Sequence, residues 1–129
     1  MKHRWQLVLL LSLPLLATAQ TVSLTSRITG LAPVPTDQAA TLAVSRAKTA
    51  LGLGVISEFN CDTKPADAQI FVYRHAVTVS VRSVTTSDAP PIGALCSAEL
   101  RFVLSGISKG PKVIYYVQDG HVMGHASVP

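Results

Sequence analysis

Apolar and polar residues alternate along residues 70–84, and this alternation constrains the fold more than any other feature of the sequence. A repeat of two is the period of a β-strand, in which successive side chains point to opposite faces of a sheet. Residues 95–104 show the same repeat, with Cys96 and Phe102 on the apolar side. The sequence therefore predicts two long strands, each with one buried face. The predicted buried residues of the first strand are Phe71, Tyr73, His75, Val77, Val79 and Val81.

Three other segments also have the composition of strands. Residues 21–29 alternate hydroxyl-bearing and apolar side chains, and residues 55–61 suit a second, shorter strand. Residues 113–128 predict a hairpin, because Asp119 and Gly120 form a dipeptide typical of two-residue turns. The segment between the first two of these strands has a different repeat.

Residues 36–51 predict an alanine-rich helix, because their apolar residues recur at intervals of three or four. Asp37 favours the start of a helix, and Gly52 and Gly54 favour its end. The predicted core-facing residues of this helix are Ala40, Ala43, Val44, Ala47, Ala50 and Leu51.

These segments together predict an α+β fold in a chain of 129 residues, which is long enough for one domain. One alanine-rich helix would pack on an antiparallel sheet of about five to six strands, in the order β-α-β-β-β-β-β. The alternative is an all-β sandwich in which the alanine-rich segment forms a short surface helix.

The first 19 residues have the three parts of a secretory signal peptide. Lys2 and Arg4 supply the positive start, and residues 17–19 (Ala-Thr-Ala) match a cleavage site. The apolar run between them spans about 10 residues, whereas a membrane-spanning helix needs roughly 20. The sequence therefore predicts a cleaved signal at residues 1–19 and a single globular domain at residues 20–129, in the periplasm or secreted, from a bacterial source.

Cys61 and Cys96 are the two cysteines, and an exported chain with an even count favours a disulfide between them. This prediction conflicts with a simple meander of the predicted strands. A continuous strand from Ile70 to Val81 would hold the two cysteines about 36 Å apart, whereas a disulfide needs Cα atoms within about 7 Å. Either the long strand breaks or bends, or the strand before it does not pair beside it, or the disulfide is absent or intermolecular.

The charge pattern and the motifs exclude several classes of function. Removing the predicted signal leaves nine basic against seven acidic residues, with no basic run of the kind that nucleic-acid binding needs. On a strand, His121 and His125 would lie about 13 Å apart, which is too far to share a metal ion. No nucleophile or phosphate-loop motif is present, so the sequence predicts neither catalytic residues, a metal nor another cofactor.

The predicted hairpin suggests an interaction patch instead. A two-residue turn would pair Gln118 with His121, Tyr116 with Met123, and Ile114 with His125. One face of the hairpin would then combine amphipathic side chains of the kind enriched at interfaces. The predicted patch consists of Tyr116, Gln118, His121, Met123 and His125.

The function that we expect is a small exported, non-catalytic binding domain that presents a sheet face or loops to a protein or cell-envelope partner. Two alternatives stay open at this point. One is a small secreted hydrolase that uses His75 or His121 with a loop aspartate. The other is a structural subunit that assembles through strand edges, with residues 21–29 as the first candidate edge.

Overall fold

The computed structural model describes residues 20–32, 40–86, 94–107 and 110–129. This part of the chain contains eight β-strands and no helix. The predicted signal peptide, residues 1–19, lies outside the described residues, as does the start of the predicted helix, residues 36–39. The strands are β1 (Thr21–Leu31), β2 (Thr41–Arg46), β3 (Ala50–Asn60), β4 (Thr63–Tyr73), β5 (Ala76–Thr85), β6 (Leu95–Ser105), β7 (Val113–Gln118) and β8 (His121–Ser127).

The strands form two four-stranded sheets that pack face to face. The first sheet has the order β1-β6-β3-β2 and is antiparallel throughout. The second sheet has the order β4-β5-β7-β8, and its central pair, β5 and β7, is parallel. Alternate residues of both sheets point into one shared core, in which the rings of Phe102 and Tyr116 lie 6.0 Å apart. The fold is therefore all-β, and the predicted α+β class is wrong.

The predicted alanine-rich helix is replaced by the hairpin of β2 and β3. The backbone reverses after Arg46, and the amide of Ala47 donates to the carbonyl of Ala50 over 2.9 Å. An alternating strand pattern continues past Leu51, the predicted end of the helix. In this pattern Leu51, Leu53 and Val55 are each 1% exposed and alternate with glycines. Helix propensity is a weak preference, and burial of this alternating set outweighs it.

The predicted long strand of residues 70–84 is two strands joined by a tight turn. Tyr73 pairs with Ala76 across the turn residues Arg74 and His75, and Arg74 has a φ of 55°. No glycine or proline marks this break. The turn also reverses the parity of the faces, since positions i and i+3 across a two-residue turn lie on the same side of the sheet.

The disulfide between Cys61 and Cys96 is present, with their Cα atoms 5.0 Å apart. Its conflict with a meander is resolved because β3 pairs directly with β6, which places Phe59 opposite Cys96. The predicted strand order was at fault, not the predicted pairing of the cysteines. A disulfide is consistent with an extracytoplasmic location.

Candidate binding surface

The β7–β8 hairpin forms as the sequence predicts at its turn and differs beyond it. Asp119 and Gly120 both have positive φ angles, 51° and 80°, and Gln118 pairs with His121. A β-bulge then shifts the register, so that Tyr116 faces Gly124 and not Met123. A bulge adds one residue to one strand, which reverses the alternation on the far side.

Tyr116 of the predicted patch is buried, and Gln118 is partly buried beside it. Tyr116 is 0% exposed, and its hydroxyl donates to the side-chain oxygen of Gln118 over 2.9 Å. The same oxygen accepts a bond of 2.7 Å from the hydroxyl of Ser57 on β3, and the Gln118 amide donates to the carbonyl of Glu58 over 2.8 Å. The predicted outward orientation of Tyr116 is therefore wrong.

These three side chains form a polar cluster that joins the two sheets across the core. Gln118 comes from the second sheet and Ser57 from the first, so the hydrogen bond between them joins the two sheets and favours one relative position. Burial raises the pKa of the Tyr116 phenol strongly, a shift that the hydrogen bond with Ser57 partly opposes. The phenol is held neutral, as a hydrogen-bond donor.

The other three residues of the predicted patch occupy three different environments. Met123 packs against the core, and His121 is exposed beside the turn. His125 is exposed on the outer face of the second sheet, where its ring lies 5.8 Å from that of Tyr115. The neighbouring tyrosine thus occupies the outward position that the sequence assigned to Tyr116.

The outer face of the second sheet carries a row of residues that crosses all four strands. The pairings of the sheet align Phe71, Thr78, Tyr115 and His125, one from each strand. Tyr73 lies two residues further along β4, and its side is again the outer one. Phe71 is 57% exposed and Tyr73 is 71% exposed, which is unusual for large rings on a regular strand. We name this surface the aromatic face, defined by Phe71, Tyr73, Tyr115 and His125.

The centre of the aromatic face is uncharged and its margins are charged. Ala76, Thr78 and Ser80 occupy the outer side of β5, between the rings of β4 and those of β7. At one margin the guanidinium of Arg74 lies 5.3 Å from the centre of the Tyr73 ring. At the other margin Arg82 forms an ion pair with Asp67. The small central residues leave room for a partner's side chains between the rings.

Phe71 and Tyr73 belong to this surface, although the alternation of residues 70–84 assigned both to the core, and the expected register of the hairpin did the same for Tyr115. The alternation of residues 70–84 was correct, but the parity changes at the turn. Ala68, Ile70 and Val72 therefore pack inward, and the larger rings point outward. The signal that could have revealed this was the polar pair Arg74 and His75 in the middle of an otherwise apolar run.

The outer face of the first sheet has a groove in place of rings. Gly52 and Gly54 remove the side chains from the outer side of β3, so that β3 forms a floor between β2 and β6. The groove has a volume of about 480 Å³ and is flanked by Ser45 on one side and by Arg101 and Val103 on the other.

The described residues do not bring the candidate hydrolytic groups together. His75 lies exposed in the β4–β5 turn, and neither it nor His121 bonds to an aspartate within the described part of the chain. The carboxylate of Asp119 instead accepts bonds of 2.7 and 2.6 Å from the backbone and hydroxyl of Ser83.

The described ranges contain neither a metal-binding cluster nor a membrane-spanning helix. Among residues 20–32, 40–86, 94–107 and 110–129, no three side chains of His, Cys, Asp or Glu are placed to hold a metal ion. The same ranges contain no helix that is long and apolar enough to cross a membrane. Comparison of the chain with protein families, curated proteins and solved structures finds no match.

Proposed function

We propose that this chain is a small exported, non-catalytic binding domain whose aromatic face contacts a protein partner. The observation that supports the proposal is the exposure of Phe71 and Tyr73 on a regular strand, beside Tyr115 and His125. Exposed apolar patches of this kind on a folded domain mark interaction sites.

The distribution of charge supports a protein as the partner. Protein interfaces have an aromatic, charge-depleted centre and a polar rim. The aromatic face matches this anatomy, because Thr78 lies at its centre while Arg74 and Arg82 lie at its margins. Tyrosine and arginine are also enriched among the residues that dominate binding energy.

Photo-crosslinking in the source cells tests the proposal. A photoreactive side chain at Thr78, in the centre of the aromatic face, should give a discrete adduct with one protein. The matched control places the same group at Ser45, which lies on the outer side of the first sheet. An adduct from Thr78 alone supports the proposal.

The double substitution Phe71→Ser and Tyr115→Ser provides the second arm of this experiment. It should abolish the Thr78 adduct and leave the cooperative unfolding transition in place, because both side chains lie outside the core cluster. Equal crosslinking from Thr78 and Ser45, or an adduct that survives the double substitution, would contradict the proposal. An adduct of twice the chain's mass would identify a second copy of the chain instead.

Assembly through β1 is the second candidate function, and the position of β1 at the edge of the first sheet favours it. Open edges present unpaired backbone groups to other strands. Two features weaken this edge: the β-bulge between Ile28 and Gly30, and the charged side chain of Arg27, which pairs with Glu99. Sedimentation at increasing concentration tests this candidate, since assembly through β1 predicts a dimer when two β1 edges pair and larger species when β1 pairs with a different edge.

A further inference from the structure

One end of the sandwich collects basic side chains from both sheets. The strand pairings place the end of β4, the start of β7 and the end of β8 together, because Tyr73, Ala76, Val113 and Ser127 align across the second sheet. In the first sheet, the end of β2 and the start of β3 lie at the corresponding end. We name this surface the basic end, defined by Arg46, Lys48, Arg74 and Lys112.

Hydrogen bonds connect the segments that carry Arg46, Arg74 and Lys112, and Lys48 lines a depression together with Arg46 and Pro129. The amide of Lys112 donates to the carbonyl of His75 over 2.7 Å, next to Arg74. The carbonyl of Lys112 accepts from the amide of Val128 over 2.9 Å. The adjacent residue, Pro129, accepts a bond of 2.9 Å from the guanidinium of Arg46. Cations of the two sheets are thus connected through the last residues of β8 and those that follow it.

Acidic residues of the described chain lie away from this end. The closest along the strands are Asp67, six residues before Tyr73, Glu99, six residues before Ser105, and Asp119, six residues after Val113. At 3.3 Å per residue, each lies about 20 Å from the basic end, twice the Debye length at moderate ionic strength. Lys48, Arg74 and Lys112 form no ion pair with a described residue, whereas Arg46 donates to Pro129. The basic end therefore presents a net positive field.

Exposed rings adjoin these cations. Tyr73 ends β4 beside Arg74, and Phe71 follows on the same side of the strand. Tyrosine at the border of a lipid bilayer places its ring among the headgroups and keeps its hydroxyl in water. Clustered lysine and arginine side chains bind anionic lipid headgroups through the negative surface potential.

We propose that the basic end docks on an anionic phospholipid surface, with Arg74 and Lys112 at the headgroup phosphates and Tyr73 between the headgroups. This site borders the protein contact proposed for the centre of the aromatic face and shares Tyr73 and Arg74 with it, but it does not require that contact. Charge complementarity favours an anionic partner. The exposed ring of Tyr73 beside these cations favours a bilayer over a soluble polyanion.

Vesicle sedimentation tests this proposal. The protein is purified from its source cells in the processed form found there, with the disulfide between Cys61 and Cys96 intact. The protein should sediment with vesicles of phosphatidylglycerol mixed into phosphatidylcholine, and not with vesicles of phosphatidylcholine alone. High salt should release it. Each of the substitutions Arg74→Gln and Lys112→Gln should weaken binding about five-fold, and the double variant about 25-fold.

Two control variants remove the same charge elsewhere. Lys64→Gln lies at the opposite end of β4, and Arg101→Gln lies on the outer face of the first sheet. Both should bind vesicles like the unchanged protein. Equal weakening by these controls would show that net charge alone drives binding, and equal affinity for soluble inorganic polyphosphate would identify a polyanion; either result overturns the proposal.

The absence of vesicle binding also overturns the proposal, without affecting the proposed protein contact. The Thr78 crosslink reports on that contact, and Thr78 lies outside the basic end. The Lys112→Gln variant, which leaves the aromatic face and its rim intact, should therefore retain the Thr78 adduct, whereas Phe71→Ser with Tyr115→Ser should lose it.

Discussion

The two sheets have similar inner faces and very different outer faces. Both inner faces consist of alternating leucine, valine and aromatic residues that share one core. On the outside, the first sheet carries the glycine floor of Gly52 and Gly54, while the second carries Phe71 and Tyr73, which are 57% and 71% exposed. Folding requires the shared inner pattern. It does not require exposed rings on one outer face, which is why we propose that face as the binding surface.

Two adjacent tyrosines on β7 provide the sharpest form of this comparison. Tyr116 is fully buried, and Tyr115 is only half-buried on the aromatic face. Tyr116→Ala should destabilise the fold by about 3–5 kcal/mol, because it leaves a cavity beside Phe102 and removes a donor from the polar cluster. Tyr115→Ala should change the free energy of unfolding by about 1 kcal/mol or less.

Denaturant unfolding of the two alanine variants under oxidising conditions gives both values. The Thr78 crosslink should show the reverse order, with the Tyr115→Ala adduct reduced in a protein that is still folded. Similar destabilisation by both substitutions would mean that the aromatic face is a second core and not a binding surface.

Two glycines lie in contrasting places. Gly124 lies at the contact between β8 and β2, which we call the seam between the sheets, and Gly54 lies in the open groove. At Gly124 a Cβ atom would lie 2.9 Å from Leu42 Cδ1 and 3.1 Å from the Ala40 carbonyl oxygen. At Gly54 a Cβ atom would meet only the Ala43 carbonyl oxygen, at 3.8 Å. Gly124→Ala should therefore destabilise by about 1–3 kcal/mol through overpacking, whereas Gly54→Ala should stabilise by about 0.5 kcal/mol, because alanine suits a strand interior better.

Thermal unfolding of the two glycine variants is the measurement, since the opposite signs are easier to resolve than the magnitudes. A stable Gly124→Ala variant would mean that β2 and β8 can separate at the seam. In that case the hydrogen bond of 2.9 Å from the Ala40 amide to the Met123 carbonyl would not hold the sheets together.

The sequence predicted the elements whose pattern reports directly on local structure. The strand of residues 95–104 and the turn at Asp119 and Gly120 follow from alternation and from turn chemistry, and both are present. The disulfide followed from the cysteine count and the predicted export. Each of these inferences depends on neighbouring residues or on a count, and not on which strands meet.

The errors arise where tertiary contacts decide between two local patterns. The alanine-rich segment fits one face of a helix, yet the alternation of Leu51, Leu53 and Val55 is buried in the core as a strand. The turn at Arg74 and the bulge after Tyr116 each change parity by a single step. One such step exchanges the buried and exposed faces of a strand. For this reason Phe71 and Tyr73, which lie on the candidate binding surface, were predicted to be in the core.

Alkaline titration tests the buried side of this comparison, because the raised pKa of the Tyr116 phenol makes the stability of the fold depend on pH. Burial raises the pKa of Tyr116 above its ordinary value of 10.0, so the unfolded chain releases this proton near pH 10 while the folded chain retains it. The folded state then binds more protons, and its stability is complete below pH 10 and falls as the pH rises further. The unchanged protein should lose about 1.4 kcal/mol per pH unit more than Tyr116→Phe in this range.

Urea unfolding between pH 8 and the alkaline limit of stability measures this difference. At neutral pH, Tyr116→Phe should destabilise by about 1 kcal/mol, because the Gln118 oxygen still accepts from Ser57. The control Ser57→Ala keeps the phenol and should keep the steep alkaline slope, although it loses a hydrogen bond of its own. Parallel slopes for the unchanged protein and Tyr116→Phe would mean that the phenol ionises in the folded state, and hence that water reaches the polar cluster between the two sheets.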